Sequence, residues 1–473
     1  MPAVRVALPV DRLPHEAVDL DAVRAEIGAP GPFPAEVLAE AERAARDVDL
    51  PDVDRTDLPF VTIDPPGSTD LDQAVHVERA GSGYRVHYAI ADVGAFVRPG
   101  GALDAEVTRR GVTLYAPDRR VPLHPPVLGE QAASLLPDGD RPAVLWTLEL
   151  DADGVLQGTD VRRVLVRSRA KLDYAGVQAA LDGGTADESL QLLREVGLLR
   201  QQRAAERGAV DLPTPEQEVD LSGDRPRLHL RAQLPVEGWN AQISLLTGTA
   251  AAALMLDAGV GLLRTLPAPA ADDVDQLRRS ALALGVDWPA GADWGPVVSS
   301  LDPHDPPSAA LLVLATRLLR GAGYTPFDGG EPEPAVHAGV AAAYAHCTAP
   351  LRRLADRHVS EACVALSAGR DVPGWVREAL PGLPEVMGEA GRRAAALERA
   401  VVQLTEAVVL QPCVGERFDA VVVQVDDKGG TVQLLDPPVR DRCDGADLPL
   451  GERVCVRVAE ADPTRRLVRF TLG

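Results

Sequence analysis

Three aspartates stand close together in the segment TIDPPGSTDLDQA: Asp64, Asp70 and Asp72. Three carboxylates that converge in one loop repel one another unless a cation lies between them. Carboxylate oxygens are hard ligands, which suit magnesium (Mg2+) or manganese (Mn2+). The segment therefore predicts a divalent metal site. Because aspartate is also common in turns, three solvated turn residues are the alternative at this point.

The neighbouring residues predict how this segment is positioned. The run FVTI directly before it is typical of a strand, which the Pro-Pro-Gly at 65–67 ends. After it, AVHVE and YRVHYAIADV flank the turn signal RAGSGY and predict a hairpin. Strand patterns follow at 143–150 and 161–167, and helical periodicity predominates from Asp173 to about Arg399. We therefore expect an α+β fold in which the carboxylate loop follows a strand.

The two ends of the chain have simpler patterns. The N-terminal segment contains two short helical patterns, Asp21–Gly28 and Pro34–Asp47. A long helical pattern at Pro384–Leu410 precedes a C-terminal segment with the alternating runs FDAVVVQV, GTVQLL, ERVCVRVAEA and RLVRFTL. About five short strands in that length predict an all-β, OB-like barrel. The predicted division is a helical arm at 1–55, a mixed α/β domain at 56–408 and the barrel at 409–473.

Barrels of this kind often bind single-stranded nucleic acid by stacking bases on exposed aromatic side chains. The C-terminal segment offers Phe418 and Phe470 for such a role. Either residue can equally belong to the barrel core, so both interpretations stay open.

The formal net charge of -22, taken alone, argues against a nucleic-acid partner, because proteins that bind phosphates usually carry positive charge. Net charge does not fix the local field, however, and arginines cluster in the sequence. The clusters are Arg109 with Arg110, Arg119 with Arg120, Arg162 to Lys171, and Arg352 with Arg353. These clusters predict local positive patches.

The apolar stretch from Ile243 to Leu263 is interrupted by Asp257 and predicts a buried helix rather than a membrane span. The N-terminal run MPAVRVALPVDR lacks the apolar segment of a signal peptide. We therefore expect a cytoplasmic protein, without a membrane or an organic cofactor. The cysteines form no CxxC pair, and buried thiols are the preferred interpretation. They are Cys347, Cys363, Cys413, Cys443 and Cys455.

The motif TIDPPGSTDLDQA resembles the opening motif of the RNase II/RNase R (RNB) family. The resemblance continues, in the family's order, through YRVHYAIADV, LDAEVTRRGVTLYAPDRRVPLHPPVL, SLLPDGDRPA, SRAKLDY and YAHCTAPLRRLADRH. It covers roughly residues 60–400, and an OB/S1-like barrel follows as the family leads one to expect. The resemblance thus implies an RNB catalytic domain at 56–408.

By this resemblance, Asp64, Asp70 and Asp72 hold the metal, and Asp72 is the most critical of them for cleavage. Arg352, the first arginine of TAPLRRL, matches the arginine that the family directs at the reacting phosphate. Its planar guanidinium can bind two oxygens as negative charge develops in the transition state. The resemblance therefore implies Asp72 and Arg352 as the catalytic pair.

Two tyrosines match family positions that contact RNA. Tyr115, at the end of RRGVTLY, matches an aromatic residue that stacks on a base near the 3′ end. Tyr174, in KLDY, matches a tyrosine near the terminal nucleotide that helps to select RNA, a role that contact with the 2′-hydroxyl would explain. For each of them, a buried core tyrosine is the alternative.

The sequence also departs from the family pattern. The family motif usually ends in Asp-Asp, whereas here Asp72 is followed by Gln73, which either ligates metal through its amide oxygen or orients a neighbouring carboxylate. Ala349 and Leu354 replace a Ser and a Tyr beside the arginine. About 55 residues before the catalytic block cannot contain two cold-shock-type barrels, so we expect a short bacterial form that lacks them.

The resemblance implies a hydrolytic 3′-to-5′ exoribonuclease of the RNase II type, which degrades single-stranded RNA to nucleoside 5′-monophosphates. Gln73 and the acidic balance favour the alternative, a catalytically silent RNA-binding or regulatory protein on the same scaffold. A small-molecule hydrolase would not need the barrel, Tyr115 or Tyr174. The retained set of Asp64, Asp70 and Asp72 with Arg352 favours the enzyme. Single-stranded RNA is the expected partner, and the sequence does not identify protein partners.

Overall fold

The computed structural model of the protein describes residues 20–473, apart from 211, 213–215, 221–226, 232, 304, 331 and 446. Both helices predicted near the N-terminus are present, as α1 (Leu20–Glu26) and α2 (Ala35–Arg46). Pro34 precedes α2, whose residues Val37 and Ala41 are buried in the domain core. The end of the helical arm at residue 55 stays a prediction.

Five strands after the arm form a closed barrel. They are β1 (Phe60–Ile63), β2 (Gln73–Ala80), β3 (Gly83–Ala91), β4 (Asp140–Leu150) and β5 (Leu156–Leu172). Strands β2 to β5 pair antiparallel in chain order, and β1 closes the barrel by pairing antiparallel with β2 and parallel with β5. The hairpin β2–β3 and the strands β4 and β5 confirm the sequence predictions. The carboxylate loop joins β1 to β2.

Ten helices follow the arm in the part of the chain that the structure describes. They are α3 (Ala102–Arg110), α4 (Tyr174–Asp182), α5 (Glu188–Glu206), α6 (Pro235–Ala258), α7 (Ala271–Ala283), α8 (Trp294–Ser299), α9 (Pro306–Ala315), α10 (Leu354–Ser367), α11 (Gly374–Ala379) and α12 (Leu383–Leu410). Helix α6 contacts α5 and α10, and α10 also contacts β5. One continuous apolar core joins the barrel to α3–α6, α10, α11 and the start of α12, with Tyr88 and Trp146 among its largest buried side chains. Helices α7–α9 instead pack in a separate apolar cluster with Val421 and Val423 of the C-terminal segment.

Helix α6 corresponds to the apolar stretch that predicted a buried helix. By length and composition it could cross a membrane, the one such helix in the part of the chain that the structure describes, yet Ile243 and Met255 are fully buried in the core. The predicted C-terminal end was wrong. Gly259 adopts a left-handed φ of 71° and ends the helix, so that Val260–Thr265 forms strand β8 instead.

The middle of the chain contains strands that helical periodicity did not predict. Strand β6 (Glu216–Asp220) pairs with β7 (Arg227–Arg231), and β8 pairs with β9 (Gly323–Asp328). Thr265 and Thr325, which pair through their hydroxyls, lie 60 residues apart in sequence. Local periodicity carries no information about such a distant partner, which explains why β8 and β9 were missed.

The C-terminal segment confirms the predicted barrel. Its strands are β10 (Arg417–Asp426), β11 (Gly429–Leu434), β12 (Arg440–Asp444), β13 (Arg453–Asp462) and β14 (Leu467–Leu472), closed in the order β10-β11-β12-β14-β13. Phe470 is completely buried in the barrel core, and Phe418 packs against that core while partly buried. Phe470 is therefore a core residue and not a platform for a base.

The cysteines are free thiols, and the prediction that all are buried was partly wrong. Cys347, Cys363 and Cys443 are buried, whereas Cys413 is half-buried and Cys455 is exposed. Cys455 lies in β13, where its neighbour Val456 points into the barrel core. The alternation of side chains along a strand therefore directs Cys455 outward.

Candidate active site

The carboxylate loop between β1 and β2 is held at its start by β5. The backbone N–H of Asp64 donates to the carbonyl of Leu172 at 3.1 Å, which continues the parallel pairing of β1 with β5. Next to it, the ammonium of Lys171 donates to the carbonyl oxygens of Pro66 and Ser68, at 2.8 and 2.5 Å. The excursion that the prolines impose is thus fixed by one lysine.

Ser134 holds the second half of the loop. Its hydroxyl donates to the carbonyl of Thr69 at 2.7 Å and accepts from the N–H of Leu71 at 2.9 Å. The side chain of Leu71 is completely buried. Anchoring the backbone on both sides of Asp70, with Leu71 in the core, fixes where Asp70 and Asp72 stand.

Asp72 is buried, with 3% of the residue exposed. Its Oδ1 accepts from the backbone N–H of Leu351 at 2.8 Å, and its Oδ2 lies 3.4 Å from Nε of Arg352. Burial raises the pKa of Asp72 to about 8, although the positive charge of Arg352 and the N–H of Leu351 act in the opposite direction. The protein's own groups therefore compensate this buried carboxylate only in part.

The segment that carries Arg352 is fixed by a second buried carboxylate. Asp356, which is fully buried, accepts from the backbone N–H of Ala349 at 2.7 Å and from Nε and Nη2 of Arg353 at 3.0 and 2.8 Å. The carbonyl of Arg352 accepts from the N–H of Thr113 at 3.0 Å. The two adjacent arginines thus differ, because Arg353 is bound to Asp356 while the Arg352 side chain remains 48% exposed.

Asp70 has protein donors on both carboxylate oxygens. Nη1 of Arg120 lies 2.5 Å from Oδ1, and the hydroxyl of Tyr115 donates to Oδ2 at 3.0 Å. Tyr115 is 51% exposed, so it is not the buried core residue of the alternative interpretation. The sequence had marked Arg120 only as part of a cluster, and nothing in its spacing indicated Asp70 as its partner.

Gln73, the position at which the family motif usually has a second aspartate, begins β2. Its amide nitrogen donates to the carbonyl oxygen of Thr348, in the segment that leads to Arg352. An aspartate could not make this hydrogen bond, because a carboxylate has no donor. That Gln73 ligates metal stays a prediction.

Tyr174 is the first residue of α4, after Asp173, whose side chain caps the helix. The amide nitrogen of Asn240 lies 3.4 Å from the hydroxyl of Tyr174, and one turn further along α6 the hydroxyl of Ser244 lies 2.8 Å from that of Tyr88. Sequence reasoning missed both α6 residues. The signal was present, since two polar residues four positions apart share one face of an apolar helix.

The charges of Asp64, Tyr174 and Arg352 act on the buried phenol of Tyr88, whose pKa is raised mainly by burial. Those of Asp70, Asp72 and Arg352 act on Tyr115 in the same way. Arg352 thus acts on both phenols, whereas Asp64 and Tyr174 act on that of Tyr88, and Asp70 and Asp72 act on that of Tyr115. The residues separated along the chain are brought to one region.

The side chains present fit a hard divalent cation in chemistry. Asp72 is buried and incompletely compensated, and carboxylate oxygens are the donors such ions prefer. However, among the described residues no three or more His, Cys, Asp or Glu side chains are already arranged around one point. Asp70 is paired with Arg120 instead. Convergence of all three aspartates on one ion stays a prediction.

The arginine clusters that predicted positive patches are largely neutralised. Arg110 is buried and bonded to Glu106 at 2.7 Å, and Arg353 is bonded to Asp356. The excess of acidic residues supplies such partners throughout the chain. The positive charge of Arg110 and Arg353 is therefore balanced by ion pairs, whereas Arg352 is still available to a ligand through its exposed half. That the other clusters form local positive patches stays a prediction.

The N-terminal helix α1 reaches this region through ion pairs. Arg24, whose side chain is 7% exposed, binds Asp118, and it also donates to Asp21 at 2.7 Å. Asp21 in turn binds Arg119. These bonds attach α1 to the segment that directly follows Tyr115.

Comparison with known proteins agrees with this architecture. The RNB domain matches residues 53–366, and the RNase II-type exonuclease C-terminal S1 domain matches residues 416–473. The exosome complex exonuclease RRP44 homolog A of Arabidopsis thaliana is 32% identical over 355 residues, which cover 69% of this chain and 37% of that protein. Ribonuclease R of Escherichia coli is 27% identical over 471 residues, which cover 89% of this chain and 57% of that protein.

The chain thus spans between about a third and three fifths of the length of these relatives. Among solved structures, Mycoplasma genitalium RNase R in complex with ribose methylated single-stranded RNA superimposes with a TM-score of 0.85 at 18% identity, covering 96% of this chain and 77% of that one. At that identity the likeness establishes the fold. Because the RNB domain matches most of the sequence, the chain belongs to the RNB family, with an RNase II-type S1 domain as its C-terminal barrel.

Proposed function

We propose that this protein is a hydrolytic exoribonuclease that degrades single-stranded RNA from its 3′ end and releases nucleoside 5′-monophosphates. The observation that carries the proposal is the pairing of Asp72 with Arg352, which come from distant segments and stand with their side chains 3.4 Å apart. The buried carboxylate is suited to ligate a metal ion, and the half-exposed guanidinium beside it is suited to bind the phosphate group that contacts this ion. Family membership supports the same reaction.

In this proposal Asp64, Asp70 and Asp72 hold magnesium, or manganese in its place. Such an ion, when bound, neutralises charge on the phosphate and makes a water molecule more acidic. Arg352 binds the phosphate oxygens through its guanidinium. Asp356 fixes the backbone that leads to Arg352 by accepting from the N–H of Ala349 at 2.7 Å. The N–H of Leu351 orients one oxygen of Asp72.

Two aromatic side chains are proposed to bind the 3′-terminal nucleotides. Tyr115, which is half exposed, stacks on a base, and Tyr174 lies near the terminal ribose with Asn240 at 3.4 Å from its hydroxyl. We further propose that the protein acts in the cytoplasm on single-stranded RNA and needs no organic cofactor. Gln73 remains in this scheme either a further metal ligand or an orienting residue.

A 5′-labelled oligoribonucleotide incubated with the protein and magnesium tests the proposal. A ladder that shortens from the 3′ end, absent with a chelator and with DNA of the same sequence, is the expected result. A single internal cut, or products that lose the 5′ label, would exclude an exonuclease of this polarity.

The second candidate function is that of a catalytically silent RNA-binding protein. It is favoured by Asp70, whose two oxygens already accept from Arg120 and Tyr115, and by Gln73, which adds no charge. In the same assay this candidate predicts intact RNA that remains bound to the protein at every magnesium concentration.

Replacing Tyr115 by alanine is expected to lengthen the shortest product more than it slows the first cleavages. The stack of an aromatic ring on a base contributes about 1–3 kcal/mol, which matters most when few nucleotides remain bound. Product lengths are measured by denaturing gel electrophoresis. Phenylalanine at position 115 is the control, because it keeps the ring and loses only the hydrogen bond to Asp70; an alanine variant with unchanged end product would remove Tyr115 from the RNA contacts.

A further inference from the structure

Arg120 lies between two carboxylates at the edge of the proposed metal site. Its Nη1 is 2.5 Å from Oδ1 of Asp70, while Nε and Nη2 are 3.1 and 2.9 Å from Oε1 of Glu130. Nη2 also donates to the hydroxyl of Thr69. The three charged side chains are 14–27% exposed, so the pairs are partly shielded from water. One guanidinium therefore serves two anions.

The hydrogen bonds of Asp70 oppose the binding of a cation to the same carboxylate. Both of its oxygens accept from protein donors, Oδ1 from Arg120 and Oδ2 from the hydroxyl of Tyr115. A metal ligand must direct a lone pair at the ion, and a guanidinium on the same oxygen repels that ion by its charge. Arg120 and a divalent cation thus compete for Asp70.

Glu130 can keep the charge of Arg120 paired when a cation binds Asp70. A guanidinium has five N–H donors in a rigid fork, and two of its nitrogens already face Glu130. A small rotation of the side chain can give up Asp70 without leaving the positive charge unpaired. The cost of releasing Asp70 is thereby reduced.

Resting on the metal site of the proposed function, we propose that Arg120 is a positioning residue that holds Asp70 until a divalent cation binds there and then remains paired with Glu130 alone. The Tyr115 hydroxyl donates to Oδ2 of the same carboxylate, so a cation that ligates this oxygen would also displace Tyr115. Cation binding and the freedom of the proposed base-stacking side chain are thus coupled through Asp70.

The test measures binding of Mn2+ alone to the full chain, from the electron paramagnetic resonance signal of the free ion. Arg120→Gln is expected to bind Mn2+ roughly three- to tenfold more tightly than the wild type, because a competitor worth about one partly exposed ion pair is removed. Arg119→Gln is the matched control, since it removes the same charge from the adjacent position, where the partners are Asp21 and Asp118. It is expected to leave the affinity unchanged within about twofold.

Loss of a positive charge near a cation site tightens binding by itself, so the decisive comparison uses Asp70→Asn. In that background, Arg120→Gln is expected to give no further gain, because there is no longer a carboxylate to compete for. An equal gain with and without Asp70, or an equal gain from Arg119→Gln, would overturn the inference while leaving Mn2+ binding and RNA cleavage intact. If no variant binds Mn2+ and RNA stays undegraded, the inference fails together with the proposed function.

Arg120→Lys serves as the second variant if the glutamine variant unfolds. Lysine keeps the charge but lacks the planar fork with which Arg120 faces Asp70 and Glu130 together, so it is expected to hold Asp70 less firmly. It should therefore bind Mn2+ with an affinity between those of the wild type and Arg120→Gln. An affinity weaker than that of the wild type would contradict the competition. Thermal melting of each variant shows that the folded protein is being compared.

Discussion

Replacing Asp72 by asparagine is expected to lower the rate of RNA hydrolysis by about 100- to 1,000-fold while RNA binding is kept. The amide oxygen of asparagine can still accept from the N–H of Leu351, so the loop should keep its conformation. The negative charge that would hold the metal is lost. Single-turnover rates and fluorescence anisotropy of a labelled oligoribonucleotide separate the two effects.

The same substitution is expected to leave the melting temperature unchanged or to raise it. Asp72 is buried, and burial raises the pKa of its carboxyl to about 8, so that the charged form is disfavoured in the folded, metal-free protein. A neutral amide of the same shape removes that cost. Reduced activity together with reduced thermal stability would indicate a structural role for Asp72, and near wild-type cleavage would remove it from the catalytic set.

Replacing Arg352 by lysine is expected to lower the hydrolysis rate by about 100-fold, because an ammonium group cannot bind two phosphate oxygens with a planar fork. The loss should appear in the rate at saturating RNA. Since the Arg352 side chain is 48% exposed and 3.4 Å from Asp72, little stability depends on it. The rate is measured under single-turnover conditions, alongside thermal melting.

The adjacent Arg353 supplies a matched control for this variant. Its guanidinium makes two hydrogen bonds with the fully buried Asp356, and a lysine cannot replace both. Arg353→Lys is therefore expected to lower the melting temperature, which Arg352→Lys is not. If the two variants lose activity and stability in the same proportion, Arg352 belongs to the scaffold.

Local patterns in the sequence predicted those features that depend on neighbouring residues. The turn signal RAGSGY gave the correct hairpin, and alternation in the C-terminal segment gave the barrel, because side-chain alternation is imposed by each strand separately. The fold class followed from the same local signals. Strands β8 and β9 were not predicted, because each pairs with a strand far along the chain.

In the candidate site, too, the sequence predicted individual residues but not their partners from distant segments. Motifs pointed to Asp72 and Arg352, and the structure brings these two side chains together. They did not indicate that Arg120 would hold Asp70, or that Gln73 would donate to the carbonyl of Thr348. Which arginine is paired and which is available depends on three-dimensional neighbours, and therefore on the packing of the whole domain.

The carboxylate loop can reach its anchored conformation only when the first barrel has closed. The loop is anchored by Lys171 and Leu172, which belong to β5, while the strand that enters it is β1. Parallel pairing of Phe60–Ile63 with residues 168–172 brings together segments about a hundred residues apart, and such non-local pairing forms slowly. A folding intermediate in which strands β2 to β5 are paired, but β1 is not yet paired with β5, would lack these anchors. If the protein cleaves RNA as proposed, partly folded chains should be inactive until β1 has paired with β5.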